Sequence, residues 1–410
     1  MRHRGGLLEE KAELFQFLHL TFQEFLVARW LAKQRHEALP HLQPHLGEDW
    51  WREVALLTYG FAQMDHPPFA RDYLEWLSTQ DGPGDHRLTG LELAGAALLE
   101  LERPDPAVRH HQALRLLAAL RDPKLLAPAR LRARAGNTLG SLGDPRFRAN
   151  AASLPDEAQL GFVEIKAGPF WMGSAEADKE AREDEQPQHR VTLPRYFIAR
   201  YPVTVAQFLA FVEASDYQPS DPDCLKGLAN HPVVWVNWND ALEYCRWLTT
   251  YLGEADDIPE PLRELVRHQG WQVTLPSEAE WEKAARGSQY KRRYPWGDTF
   301  EAEWVNHWQA GIQTTNTVGV LPRGESPYGC LDMCGNVWEW TRSIYTDYPY
   351  SATDGREDLQ HTGNEPRVLR GGAFSHYPRD VRCAVRGGGV ARTALHRVGF
   401  RVVLSSLPYL

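Results

Sequence analysis

The spacing of apolar residues changes near residue 150, and this change constrains the fold more than any other feature of the sequence. Between Leu7 and about Leu142, apolar residues recur at helical spacing, with breaks at Pro, Gly and Asp. Beyond the small and polar stretch 149–158, tryptophans, glycines and short alternating runs become frequent. A chain of 410 residues also exceeds the usual size of one domain. We therefore predict an all-α domain over residues 1–155 and an α+β domain over residues 156–410.

Local sequence patterns predict several helices and strands in the two domains. In the first domain the helical spacing includes Leu14, Phe17 and Phe22, and further helices are predicted over Asp49–Leu57 and Leu114–Leu120. A turn is predicted at 139–145. In the second domain the predicted strands are 162–165, 191–193 and 196–198, and the predicted helices are 205–213 and 238–248.

Composition excludes several classes of protein. No run approaches the roughly 18 apolar residues of a membrane span, and the first residues do not resemble a signal peptide. The net charge of −9 is spread over both halves, and no basic stripe follows a path that could track phosphates. The five cysteines are an odd and sparse set that suits a reducing compartment. We expect a cytoplasmic protein that binds neither nucleic acid nor a membrane.

The second domain contains a long, ordered set of motifs. They are Phe170–Ser174, Glu185–Val191, Tyr201–Thr204, Pro232–Val236, Leu275–Glu282, Tyr294–Gly297, Gly335–Trp340, Arg370–Gly372 and Gly399–Arg401. From end to end this set resembles the formylglycine-generating-enzyme (sulfatase-modifying factor) family. The resemblance implies that family's irregular α+β fold of the C-type-lectin kind.

The resemblance also defines what an active enzyme would contain. Formylglycine-generating members hold copper with two cysteines in the loop after the Arg-Gly-Gly motif, since soft thiolates suit Cu(I). In this chain that loop contains Cys383 alone. A related branch binds iron through a His-x-x-x-His-x-Glu spacing, but His41 and His45 are followed by Gly47 at the glutamate position. We therefore predict a protein without catalytic residues, copper or iron; an oxidase built from distant thiols remains the alternative.

A structural calcium ion is a further implication of the resemblance. By resemblance to calcium-binding family members, the expected ligands are the side chains of Asp332 and Glu339 and the backbone carbonyls of Gly335 and Val337. Hard oxygen donors of this kind are those that Ca²⁺ takes. Ordinary turn hydrogen bonding is the alternative role of these residues.

The C-terminal segment has an unusual composition. From Pro366 to Leu410 there is no Lys, Glu, Gln, Met, Trp or Asn. The first five cannot be encoded by a codon ending in a pyrimidine, so they cannot arise when the adenines of an AAC codon are randomised. The segment, variable over about 370–401, resembles that of a diversity-generating retroelement variable protein, which displays mutagenised residues for ligand capture. The residues expected to bind a protein or other macromolecular ligand are Phe374, Ser375, His376, Tyr377, Arg379, Asp380, Cys383, Val385, Gly387, Gly389, Val390, Arg392, Thr393, Leu395 and His396.

The first domain carries one motif-like segment. Residues 17–28 resemble the helical motif that follows the ATPase core of NACHT signalling ATPases, although the chain has no Walker-type phosphate loop. This resemblance implies a docking or regulatory role with a signalling partner. Regulation of a partner ATPase by a pseudo-enzyme is therefore another alternative to ligand capture.

Overall fold

The computed structural model describes residues 8–11, 14–17, 20–81, 85–148, 152–289, 291–361 and 363–406. The chain forms two compact units, Met1–Ala127 and Pro128–Leu410. The predicted domain boundary near residue 155 stays a prediction, and the second unit includes a helix that precedes that position.

The first unit is helical from residue 20 onward. A two-stranded antiparallel hairpin comes first, formed by β1 (Leu8–Lys11) and β2 (Leu14–Phe17). The helices are α1 (Leu20–Gln34), α2 (Leu39–Leu42), α3 (Asp49–Asp65), α4 (Pro67–Ser78), α5 (His86–Leu99) and α6 (Pro106–Arg121). The helical prediction is confirmed for this region, but it is wrong for residues 8–11 and 14–17. The Phe-rich run 14–17 has a strand propensity that outweighs its helical spacing.

Capping residues and burial explain the helices of the first unit. The Asp105 side chain accepts the Ala107 N–H at 2.8 Å, with Pro106 at the first helical position of α6. The apolar stripes of α1, α3, α4 and α5 close a common core around Tyr59, Phe69 and Tyr73. No helix among the described residues has the length and apolar character needed to cross a membrane.

The second unit mixes short strands, helices and long ordered loops. Its helices are α7 (Ala129–Leu142), α8 (Val205–Ser215), α9 (Trp238–Glu254), α10 (Leu262–Gln269) and α11 (Glu278–Arg286). Its strands are β3 (Phe147–Arg148), β4 (Leu154–Pro155), β5 (Phe162–Ile165), β6 (Gly168–Met172), β7 (His189–Leu193), β8 (Tyr196–Ala199), β9 (Gln272–Thr274), β10 (Trp338–Ile344), β11 (Arg367–Arg370), β12 (Arg386–Gly389), β13 (Val398–Phe400) and β14 (Val403–Ser405). The predicted α+β class is confirmed, and each strand and helix predicted for this unit is present.

Two four-stranded sheets organise the second unit. One has the order β12-β11-β10-β13, in which β13 runs parallel to β10 and the other pairings are antiparallel. The other has the order β5-β8-β14-β9 and joins the start of the unit to its end. Strand β10 is buried along its whole length. The sheet around β10 therefore forms a rigid base for the chain between β11 and β13.

Three helices of this unit begin with reciprocal caps that the sequence motifs encode. Ser277 accepts the Glu280 N–H while Glu280 accepts the Ser277 N–H, which explains the Leu-Pro-Ser-Glu-Ala-Glu run at α11. The same capping box starts α8 at Thr204 and α9 at Asn237. The hydrogen bonds of each cap join residues three positions apart, so the local sequence encodes the helix start.

Candidate ligand-binding surface

The predicted variable segment leaves the sheet at the end of β11 through two glycines. Gly371 and Gly372 have φ values of +94° and +75°, a region that favours glycine. A Cβ atom on Gly372 would lie 2.3 Å from the carbonyl oxygen of Asp380. The Arg-Gly-Gly motif therefore allows the loop to fold closely back on itself.

Arginines of the segment attach it to buried carboxylates elsewhere in the unit. The pairs are Arg370–Glu282, Arg382–Glu185, Arg386–Glu278 and Arg401–Glu339. All eight side chains are 3% exposed or less. A buried ion pair constrains geometry strongly, because the loss of one partner leaves the other charge uncompensated. These arginines therefore hold the segment in place while the residues between them can face solvent.

The structure brings most of the predicted ligand-binding residues to the surface. Tyr377 is 51% exposed and Val390 is 56% exposed. The other exposed members are Arg379, Arg392, Thr393 and His396, and the half-buried members are Ser375, His376, Gly387, Gly389 and Leu395. The exposed positions lie on the two loops 374–380 and 390–397.

Some of the predicted residues do not face solvent. Cys383 and Val385 are fully buried and belong to two hydrophobic clusters, so their prediction as ligand contacts is corrected. Phe374 and Asp380 are 8% and 7% exposed. A Cβ atom on Gly389 would lie 2.5 Å from the Trp340 ring, so this position has no room for a side chain. Packing against residues far away in the chain decides these positions, and it is not visible in the composition.

Aromatic residues outside the variable segment support both loops. The Trp338 ring lies beneath His376 with the ring centroids 5.4 Å apart. Trp308 donates its backbone N–H to the carbonyl of His376 at 2.9 Å, and 48% of Trp308 is exposed. The Trp235 backbone N–H donates to the Leu395 carbonyl, and the Trp235 ring contacts His396. Sequence reasoning missed Trp308 because it lies in none of the recognised motifs.

The structure also pairs two cysteines that are far apart in sequence. All five cysteines are free and buried. Cys334 forms a thiol–thiol hydrogen bond with Cys383, and burial followed by this bond raises the pKa of the Cys334 thiol well above its usual value. A copper-binding or nucleophilic cysteine needs a thiolate, which a lowered pKa favours. Cys334 has the opposite environment.

The predicted calcium ligands are engaged by protein groups. The Glu339 carboxylate accepts the Trp281 indole N–H at 2.7 Å and two N–H groups of Arg401 at 2.6 and 2.7 Å. The Asp332 carboxylate accepts the Gly319 N–H at 2.7 Å, and burial raises its pKa to about 6. Arg401 also donates to the backbone carbonyl of Asp332.

This arrangement does not fit the predicted calcium site of Asp332, Gly335, Val337 and Glu339. The cation that Glu339 meets is the Arg401 guanidinium, which would repel a divalent ion beside it. Within the described ranges, no group of three or more His, Cys, Asp or Glu side chains could hold a metal ion. The Glu339 carboxylate and the Asp332 carbonyl instead accept hydrogen bonds from Arg401, which follows β13.

Comparison with known proteins places these features in a family. The profile of the Sulfatase-modifying factor enzyme 1-like domain matches residues 149–406. Mouse formylglycine-generating enzyme is 27% identical over 69% of this chain and 82% of its own length. The mouse inactive C-alpha-formylglycine-generating enzyme 2 is 29% identical over 66% of this chain and 95% of its own length.

A solved structure shows a more distant likeness. The Treponema denticola variable protein 1 aligns with a TM-score of 0.44 and 21% identity, over 59% of this chain and 94% of that protein. No relative named here is a NACHT ATPase, so the resemblance of residues 17–28 to that class gains no support. Leu18 and His19 of that run also lie outside the described residues. The profile covers more than half of the chain, and the chain therefore belongs to the sulfatase-modifying factor enzyme 1-like family.

Proposed function

We propose that the second unit is a ligand-binding module that captures a protein or other macromolecule on the loops 374–380 and 390–397. The observation that supports this proposal is that one segment contains both buried anchoring residues and solvent-facing residues. Its buried arginines are paired with buried carboxylates, whereas most of the miscellaneous residues between them are exposed or half-buried. Binding residues on loops held by a rigid scaffold are a common arrangement in proteins.

The chemistry of the surface supports binding. Tyr377 and Trp308 present large, half-exposed rings, and Arg379 has a side chain that is 71% exposed. Tyrosine, tryptophan and arginine are the residues that most often dominate the energy of protein interfaces. Trp308 is hydrogen-bonded to the backbone of His376, and Tyr377 and Arg379 follow His376 in the same loop.

Oxidase activity is the weaker alternative. The Cys334 thiol is buried and hydrogen-bonded to Cys383, and its pKa is raised, so the thiolate form is disfavoured. The family includes a relative named as inactive, which is compatible with a non-enzymatic role here. We propose that the chain is not an enzyme and that it works in the cytoplasm, where five free cysteines remain reduced.

A partner for the first unit is a second candidate function. Helix α1 exposes Leu26 and Trp30, at 48% and 46%, and these two residues lie four positions apart on one helix face. Such a stripe is typical of a helix that packs against another surface. A signalling protein bound to this unit, including a partner ATPase, remains a proposal beside ligand capture.

Sequencing the encoding locus tests the main proposal. We expect a nearby near-copy of the codons for residues 370–401 that differs where the copy has adenine, together with a reverse-transcriptase gene. The differences should fall on the exposed codons, such as Tyr377, Arg379 and Thr393. The matched control is the set of scaffold codons for Arg370, Arg382, Arg386 and Arg401, which should be identical in both copies. If the locus has no such repeat, the sequence of the segment is not diversified, and the proposal of diversified capture fails.

A further inference from the structure

The surface of the variable segment carries the opposite charge sign to the chain as a whole. The net charge of the protein is −9, but Asp380 is the single acidic residue between Pro366 and Leu410. The same range contains eight arginines. Five of them are buried, namely Arg367, Arg370, Arg382, Arg386 and Arg401. The other three, Arg379, Arg392 and Arg397, are exposed or half-buried.

The charge of Asp380 is already neutralised. Its carboxylate lies 2.5 Å from Arg182 and 3.6 Å from Arg379, and its side chain is 10% exposed. Arg182 lies outside the variable segment, and its own side chain is 48% exposed. Arg182 therefore compensates the charge of Asp380, which leaves no unpaired negative charge for a ligand to meet.

The charges and the aromatic rings share one surface. The Trp338 backbone N–H donates to the Arg397 carbonyl at 2.9 Å, and the Trp338 ring contacts His376. Burial lowers the pKa of His376, and the nearby charges of Arg397 and Arg182 lower it further, whereas Asp380 acts in the opposite direction. Arg397 and Arg182 therefore lie near His376. Tyr377 follows His376 in the chain, and Trp308 donates its backbone N–H to the His376 carbonyl.

We propose that this chain binds an acidic polypeptide segment, with aspartate or glutamate side chains on Arg379, Arg392 and Arg397 and an apolar side chain against Tyr377 and Trp308. The proposal deepens the proposed function and rests on it. Arginine pairs carboxylates through its planar fork and stacks on aromatic rings, so it suits a carboxylate beside an apolar anchor.

A polypeptide suits this surface better than a nucleic acid. A polyanion gains affinity mainly from many phosphate contacts, and this surface offers few cations. The net charge of −9 would repel an extended polyanion, whereas a short acidic segment meets only the local patch. The charge pattern therefore favours a short acidic polypeptide segment.

The test is selection from a random dodecapeptide display library on the full-length protein. A matched selection uses the variant Arg379→Ser/Arg392→Ser/Arg397→Ser, and the control variant Arg195→Ser/Arg246→Ser/Arg263→Ser removes three arginines from other elements of the same unit. We expect the selected pool to contain at least about twofold more Asp and Glu than the starting library. Synthetic copies of the enriched peptides should bind the triple variant about tenfold more weakly and the control variant as tightly as the parent.

Three outcomes would overturn the inference: enriched peptides without an acidic excess, equal affinity for the two variants, or no enrichment. Preferential capture from a random oligonucleotide pool would overturn it in favour of a nucleic acid. Circular dichroism of each variant verifies that the fold is kept. The locus experiment is independent of these results, because a template repeat would uphold diversified capture even if the ligand were not acidic.

Discussion

Arg382 and Glu185 lie 197 residues apart in the chain and meet in a two-bond ion pair, with N–O distances of 2.8 and 2.7 Å. Ser174 donates a further hydrogen bond to the same carboxylate at 2.8 Å. The pair joins the loop before β7 to the variable segment. Since both side chains are almost fully buried, neither charge has water as a substitute partner.

Replacing Arg382 with Met should destabilise the second unit. The change leaves the Glu185 charge buried without its partner, and we expect a loss of about 3–5 kcal/mol in the free energy of unfolding. Chemical denaturation measures this loss. The control is Arg379→Met. Because the Arg379 side chain is 71% exposed, this substitution should change the free energy of unfolding by less than about 0.5 kcal/mol. Equal effects of the two changes would show that the buried pair does not anchor the segment.

Two glycines of β12 should respond differently to the same substitution. A Cβ atom on Gly389 would meet the Trp340 ring at 2.5 Å, whereas one on Gly387 would meet the Trp338 ring at an ordinary 3.5 Å. Gly389→Ala should therefore cost about 1–3 kcal/mol through overpacking, and Gly387→Ala should cost much less. Thermal unfolding of the two variants provides the comparison. Similar melting temperatures would mean that the Trp340 ring moves aside at little cost.

The cysteines should resist modification in the native protein. All five are buried, and the pKa of Cys334 is raised by burial and by its contact with Cys383. A colourimetric thiol reagent should label none of them quickly at neutral pH and all five after denaturation. A native cysteine that reacts within seconds would revive the oxidase alternative, because it would reveal an accessible thiolate.

Stability should depend on pH through Asp332. Burial raises the pKa of this carboxyl from 3.8 to about 6 in the folded state, so the folded protein holds the proton more tightly than the unfolded chain. The free energy of unfolding therefore falls as the pH rises from about 4 to about 6 on account of this group. Asp332→Asn removes this dependence and should stabilise the protein at pH 7 by about 3 kcal/mol.

The comparison of Asp332→Asn with the parent needs denaturation curves at several pH values. The two proteins should have similar stability below about pH 4, where the parent carboxyl is protonated in both states. A difference that stays constant across the whole pH range would contradict a titrating origin. The φ value of +56° at Asp332 also suits asparagine, which keeps the variant free of new backbone strain.

Calcium should have little effect on the stability of the second unit. The Arg401 guanidinium already compensates Glu339, and the Asp332 carboxylate accepts the Gly319 N–H. We expect the same melting temperature in millimolar calcium and in EDTA. If calcium raised the melting temperature of the parent but not of Glu339→Gln, the ion would bind at this carboxylate. A ligand that binds only the native state stabilises that state by mass action.

The sequence by itself determined the elements whose causes are local. The change of apolar spacing predicted helices followed by an α+β unit, the caps at Thr204, Asn237 and Ser277 set helix starts, and the motif order identified the family. Composition alone indicated that the residues after Pro366 contain the variable, ligand-binding segment. These features depend on neighbours within a few positions, so they can be read without a fold.

Only the tertiary structure decided which residues of that segment face solvent. Nothing in the sequence distinguishes Cys383 and Val385 from the solvent-facing residues of the segment, but packing against distant residues buries them. Trp308 reaches the same surface from a loop with no recognisable motif, and Arg401 meets the carboxylate that the sequence had assigned to calcium. The physical reason is that burial and ion pairing depend on contacts between residues far apart in the chain, which local sequence patterns do not specify.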